Sequence, residues 1–90
     1  MIIVRSTQFK KDFKKIRNNQ QTVNLFQEAV LLLFNGSNIP IVYKEHPLTG
    51  DQKGITDIHI KPDLLLLYRI DLKKDELHLI RIGSHSTLFD

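Results

Sequence analysis

The first third of the chain carries apolar residues at helical spacing after one short β-branched stretch. Residues 1–5 are rich in isoleucine and valine, which favours a first or edge strand. Ser6 and Thr7 then supply hydroxyl caps for a helix that should end near residues 18–19. Its apolar positions follow one another at helical spacing: Phe9, Phe13 and Ile16. A second helix is predicted from about residue 21 to 34 by one apolar stripe, formed by Val23, Phe26, Val30, Leu33 and Phe34.

From residue 53 onward the apolar period changes to two, which is typical of strands. A long loop, residues 37–52, separates the helices from this region, and long loops in small domains are often functional. Turn signals divide the rest into three strands, followed by a tail at residues 84–90; the strands cover residues 55–60, 64–70 and 76–82. The predicted order is β-α-α-β-β-β. The fold class is α+β, a mostly antiparallel sheet with an N-terminal helical hairpin packed on one face.

Length and composition predict one domain over residues 1–90, because 90 residues leave no room for a second core. The apolar fraction of 41% is enough for a core without disulfides or a structural metal. The chain has no cysteine, which suits a reducing cytoplasm and excludes thiolate metal sites. No apolar run approaches the ~20 residues of a membrane span, and no signal peptide is recognisable, so we expect a cytoplasmic protein without a membrane partner.

Positive charge is concentrated near the N-terminus. Residues 5–17 hold six Lys or Arg and one Asp, a net charge of +5, whereas the other residues hold seven cations and nine anions, a net of −2. Such a block is expected for a polyanion or an acidic protein partner, although a charge run alone is more often a solvated helix face. The outward-facing members of the block are Lys10, Lys11, Lys14 and Lys15.

Three histidines lie where the C-terminal half enters or leaves a strand: His46 in the loop, His59 on the first of the three strands, and His85 beyond the last. Histidine titrates near neutral pH and can both accept and donate a proton there. We expect Asp63 to lie near His59, where a carboxylate would orient an imidazole, or else merely to shape its own turn. Arg81 is expected to share a face with Leu77 and Leu79. It can then clamp a phosphate, or form a surface ion pair with Asp57 or Glu76.

Histidines and an aspartate are also plausible ligands for zinc or manganese. The spacing does not favour such a site, because the sequence has no H-x-H or H-E-x-x-H pair and the candidates come from separate segments. Transesterification of RNA needs no metal, since a base, an acid and a cation complete the reaction. We therefore expect no metal and no cofactor.

Four ordered segments resemble the YafQ branch of the RelE-type toxins; they read VYKEHPLTG (42–50), DIHIKPD (57–63), LYRI (67–70) and RIGSHSTLF (81–89). These toxins are ribonucleases of type II toxin–antitoxin systems. The resemblance covers essentially the whole chain and implies a RelE-like fold, cleavage of messenger RNA on the ribosome without metal, and neutralisation by an antitoxin. Two positions depart from the pattern: Leu64 stands where well-known members carry tryptophan, and Thr56 stands where an arginine is often found.

By the same resemblance, the catalytic set is His46, His59, Asp63 and His85. His85 fits the general acid, and any one of the other three residues could be the general base. Phe89 matches an aromatic residue that helps to hold the site or a base, and Lys53 and Arg81 match basic positions near the scissile phosphate. The basic block would contact ribosomal RNA phosphates. The expected protein is an endoribonuclease toxin, monomeric when free; the alternative is a non-catalytic module that only binds RNA or an antitoxin.

Overall fold

A computed structural model describes residues 1–89 and contains one five-stranded sheet. The strands are β1 (Ile2–Arg5), β2 (His46–Pro47), β3 (Thr56–Lys61), β4 (Leu64–Asp71) and β5 (Glu76–Gly83). The helices are α1 (Thr7–Phe13), α2 (Gln20–Phe34) and α3 (His85–Phe89). The strand order is β1-β5-β4-β3-β2, in which β1 runs parallel to β5 and every other pair is antiparallel. The predicted fold class is confirmed.

The two N-terminal helices begin at side-chain caps that are visible in the sequence. The Ser6 Oγ accepts a hydrogen bond from the Phe9 backbone N–H at 2.9 Å, and the Asn19 Oδ1 accepts one from the Thr22 N–H at 3.0 Å. Because Asn19 needs an extended backbone to cap α2, the first helix has to end before it. The helix α1 ends earlier still, at Phe13 and not near residues 18–19 as predicted, and turns such as that closed by the Lys15 N–H and the Asp12 carbonyl fill the interval.

Each face of the sheet has its own apolar cluster. Both N-terminal helices pack on one face, where Phe9 and the rings of Phe13 and Phe26 cover the main core. That core also buries Ala29, Leu33, Ile58, Ile60, Leu64, Leu66, Tyr68, Leu77, Leu79 and Ile82. The opposite face carries a smaller cluster around Leu65, Leu67 and Leu88. Since both faces are covered, β4 is buried along most of its length, as its continuous leucine run indicates.

Two segments for which the sequence predicts no secondary structure form short ordered elements. The loop at residues 37–52 contains two short 3₁₀ turns, Ile41–Tyr43 and Gly50–Gln52, with β2 between them. The tail contains α3, whose Leu88 closes the smaller cluster. Both elements are too short to carry a periodic pattern, and both exist through contacts with β3 or β5. Among residues 1–89, no helix is long and apolar enough to span a membrane.

Candidate active site

The candidate site lies on the sheet face opposite the two N-terminal helices. Cross-strand partners place side chains on the same face of a sheet. His46 pairs with Asp57, Asp57 pairs with Leu67, and the next partner in that row is Arg81. The neighbouring row begins at His59, so the strand order brings together residues that are far apart in the chain.

Asp57 is the buried centre of the histidine group. Only 7% of this residue is exposed, and burial raises the pKa of its carboxyl group. The positive charges of His46, His59 and His85 act in the opposite direction on the Asp57 pKa without cancelling the shift. All three candidate histidines therefore lie close enough to one carboxylate to feel its charge. The structure therefore places the three histidines around one carboxylate, and their roles in catalysis stay predictions.

The short helix α3 brings His85 to this group. The Ser84 Oγ accepts a hydrogen bond from the Thr87 backbone N–H at 3.2 Å and so caps the turn that begins at His85. Four residues further on, the Phe89 ring lies 5.0 Å from the His85 ring, centroid to centroid, at an angle of 43°. An aromatic contact at this i,i+4 spacing restricts the rotation of the imidazole. Phe89 thus touches the histidine that the resemblance assigns as general acid.

Gly83 allows α3 to fold back against the end of β5. A Cβ atom at this position would lie 3.3 Å from the Cδ2 of Leu88, which is closer than ordinary van der Waals contact. Leu88 is itself 9% exposed and packs against Leu65 and Leu67. The glycine and the leucine together fix the distance between His85 and the sheet.

His46 is held by its neighbours in β2 and in the loop before it. The Tyr68 hydroxyl donates a hydrogen bond of 2.8 Å to the Oε2 of Glu45, the residue before His46. Burial, together with this contact, raises the pKa of Tyr68, so the hydroxyl keeps its proton. On the other side of His46, the Leu48 N–H donates to the carbonyl of Ile55 at 2.9 Å. His46 is exposed but sits between two anchored positions.

Arg81 does not lie where the sequence predicted. The register of β4 and β5 shifts between Leu67 and Tyr68, so that Tyr68 pairs with Leu79 whereas Leu67 pairs with Arg81. This irregularity moves Arg81 away from the core face of Leu77 and Leu79 and onto the face of the site. The expected ion pair with Asp57 or Glu76 is also wrong. Arg81 donates two hydrogen bonds to Asp12, from Nε at 3.1 Å and from Nη2 at 3.0 Å.

Two other predicted site residues are exposed in turns. Asp63 lies in the turn between β3 and β4, beyond the last cross-strand pair, Lys61 with Leu64. Asp57 is the carboxylate whose pKa responds to the three histidines. Lys53 follows the Gly50–Gln52 turn between β2 and β3, and its backbone N–H donates to the Gly50 carbonyl. Their predicted roles toward substrate stay predictions.

The basic residues of the N-terminal block are exposed as the sequence predicts: Lys10, Lys11, Lys14 and Lys15. A metal site is not formed by the protein side chains, since no group of three or more ligand-type residues within residues 1–89 is arranged to hold an ion. The fourth histidine, His78, which the sequence did not assign to the site, donates to or accepts from Glu76 at 2.9 Å.

Sequence reasoning missed two carboxylates. Asp57 alternates with Ile58 and shares the polar side of β3 with His59, so the period of two already placed it beside a candidate histidine. Asp12 carried no such signal, because it stands within a basic helix and its partner Arg81 is 69 residues away.

The family described as a bacterial toxin of type II toxin–antitoxin systems, YafQ, matches residues 1–90. The chain belongs to this family. The mRNA interferase toxin YafQ of Escherichia coli strain K12 is 38% identical to it over 85 residues, which is 93% of this chain and 90% of that protein.

Two solved structures extend the likeness to the fold. The toxin in a crystal structure of the E. coli DinJ-YafQ complex superimposes with a TM-score of 0.86 at 36% identity, covering 98% of this chain and 97% of that chain. A metal-bound toxin from Helicobacter pylori gives a TM-score of 0.90 at 39% identity and covers 99% of each chain.

Proposed function

We propose that this protein is an endoribonuclease toxin that cleaves messenger RNA by acid–base transesterification. The observation that carries the proposal is the convergence of three histidines from β2, β3 and α3 around the buried Asp57. A protein that only grips RNA needs cations, but it does not need several proton-transfer groups around one carboxylate. Membership of the YafQ family and the name of the E. coli relative support the same activity.

In this reaction a ribose 2′-oxygen attacks the adjacent phosphorus while a base removes its proton. The bond from phosphorus to the 5′-oxygen breaks, and an acid protonates that leaving oxygen. The products are a 2′,3′-cyclic phosphate and a free 5′-hydroxyl, so the atoms and charges balance without a metal or a cofactor. One proton acceptor, one proton donor and a cation beside the phosphorane are sufficient.

His85 is proposed as the acid, because it is exposed to substrate and its ring is oriented by Phe89. The base comes from the set His46, His59 and Asp63. When it is ionised, the carboxylate of Asp57 attracts the positive charges of these imidazoles. Lys53 and Arg81 would bind phosphate oxygens of the RNA strand.

The ribosome supplies the bound messenger RNA in this proposal, and the exposed lysines of α1 and the following turn attract ribosomal phosphates. A cognate antitoxin is the expected protein partner, because the E. coli relative has been crystallised in a complex with DinJ. The free toxin would be a cytoplasmic monomer that forms a hetero-oligomer with this antitoxin.

The test compares His85→Gln with His78→Gln on ribosomes programmed with messenger RNA. Both changes replace a histidine by a neutral side chain of similar size, but His78 is paired with Glu76 and has no proposed role. We expect the His85 variant to cleave about 10²–10⁴-fold more slowly, as is typical for loss of a general acid, and the His78 variant to cleave like wild type. Binding of the His85 variant to ribosomes should be unchanged.

Cleavage by a folded His85→Gln variant at the wild-type rate would refute the assigned acid. Ribosome binding by the wild-type protein without any cleavage would favour the non-catalytic binding module. Circular dichroism of each variant establishes that the sheet is retained before rates are compared.

A further inference from the structure

The carboxylate of Asp12 occupies the edge of the sheet beyond the end of β1. The last pair between β1 and β5 joins Arg5 to Leu79, so past this point β5 has a neighbouring strand, β4, on one side only. The chain turns at Ser6 and enters α1, which lies along this free edge. There the Asp12 Oδ2 accepts a hydrogen bond of 3.2 Å from the backbone N–H of Ile82.

Asp12 is fully engaged at this position. It is 3% exposed, and besides the Ile82 N–H it accepts hydrogen bonds from Gln8 Nε2 at 3.0 Å and from two nitrogens of Arg81. Burial favours the neutral acid, but the hydrogen bonds from Arg81, Gln8 and Ile82 outweigh this effect, and the pKa of Asp12 is lowered. The carboxylate is therefore ionised at neutral pH.

The bidentate contact fixes one edge of the Arg81 guanidinium and leaves the other free. A guanidinium carries five N–H donors in a planar fork. Asp12 takes the Nε donor and one donor of Nη2, so three donors remain, two of them on Nη1. The Arg81 side chain is 28% exposed, and its backbone shares a row of the sheet with Leu67 and Asp57. The free donors thus border the face that carries the histidines.

We propose that Asp12 is a positioning residue of the nuclease: it holds Arg81 in one orientation so that the free edge of the guanidinium binds a phosphate of the RNA strand at the β5 side of the site. This inference rests on the proposed function. It also gives a reason for a buried ion pair, since such pairs seldom add stability over well-packed apolar residues. An unrestrained arginine would have to be ordered each time RNA binds, and its rotamer freedom opposes binding.

The experiment is a double-mutant cycle of Asp12→Asn and Arg81→Gln, read as the single-turnover rate of messenger RNA cleavage on programmed ribosomes. We expect Asp12→Asn to reduce the rate about tenfold when Arg81 is present, and less than about twofold when Arg81 is already glutamine. Glu28→Gln is the matched control, because it removes one exposed carboxylate on α2; it should have no effect in either background.

A purely structural role of Asp12 predicts a different pattern. Asp12→Asn would then lower the rate by the same factor in both backgrounds, and this result would overturn the inference. An unchanged or increased rate in the wild-type background would also overturn it, because it would mean that Asp12 only neutralises Arg81. Absence of cleavage by the wild-type protein in the same assay would instead remove the proposed function, and the inference with it.

A second variant covers the case in which Asp12→Asn does not fold. Gln8→Ala removes one of the hydrogen bonds to Asp12 without leaving a buried charge unpaired. We expect a reduction in rate of about twofold to fivefold that disappears in the Arg81→Gln background. Persistence of the full reduction in that background contradicts the proposed route through Arg81.

Discussion

The replacement Asp57→Asn should make the protein more stable and less active, and its effect on stability should depend on pH. Burial raises the folded-state pKa of Asp57 above the ordinary value of 3.8. Between those two values the folded state binds more protons than the unfolded state, so stability falls as the pH rises. The cost in stability is complete once the pH exceeds the raised folded-state pKa and the buried carboxylate is ionised. Asparagine avoids this cost.

The expected gain is about 1 kcal/mol at pH 8 and close to zero below pH 3.8, where Asp57 is protonated in both the folded and the unfolded state. In a domain of this size about 1 kcal/mol corresponds to a rise in Tm of about 4–8 °C. Cleavage should fall at least about tenfold at every pH, because the imidazolium forms lose their counter-charge. Thermal unfolding followed by circular dichroism and cleavage on programmed ribosomes measure the two effects.

Asp12→Asn is the matched control, since both aspartates are buried but their pKa shifts have opposite signs. Because the folded-state pKa of Asp12 is lowered, its ionised carboxylate stabilises the fold at pH values above the ordinary pKa of 3.8. This stabilisation is lost only as the pH falls through the lowered pKa. This variant should therefore be less stable by about 2 kcal/mol, with no change between pH 5 and 8. If Asp57→Asn instead lost stability by an amount that did not depend on pH, as expected for Asp12→Asn, the conclusion that burial disfavours the charge of Asp57 would be refuted.

Three further predictions concern the metal, the basic surface and the anchor of His46. Activity should be complete in EDTA once the magnesium requirement of the ribosome is met, and restoration specifically by zinc or manganese would indicate a different mechanism. Tyr68→Phe should lower Tm by about 5 °C and cleavage severalfold, because it removes the hydrogen bond to Glu45 beside His46; unchanged amide exchange at residues 44–46 would contradict this. Charge reversal of the exposed lysines should weaken ribosome binding and make its affinity less dependent on salt concentration. An unchanged salt dependence would mean that these lysines form only a solvated helix face. The substitutions are Lys10→Glu, Lys11→Glu, Lys14→Glu and Lys15→Glu.

Sequence patterns predict the parts of this fold that local physics determines. The apolar stripe of α2 and the alternation in β3 each depend on residues within one element, so the periodicity is sufficient to predict them. The same holds for the grouping of the histidines at strand ends, which follows once the strands pair.

The parts that sequence did not predict depend on contacts between distant residues. The shift in register opposite Leu67 decides the face of Arg81, and nothing in the local alternation of β5 marks it. The helix α3 forms because Gly83 permits a close approach and Leu88 has a cluster to bury in, although a five-residue helix has little stability of its own. Likewise, α1 ends early because the cap of the next helix and the contact of Asp12 with β5 constrain it.

The division of the sheet into two faces explains why a domain of 90 residues can hold a site built from charged groups. Most of the large buried side chains lie on the face of α1 and α2, so that face supplies most of the apolar burial. The other face needs only Leu65, Leu67 and Leu88 to dock α3. It can therefore keep Asp57 under the histidines and Arg81 at its border, although a buried carboxylate reduces stability. The two faces are still coupled, because Tyr68 of the main core donates to Glu45 beside His46, and Asp12 of α1 accepts from Arg81.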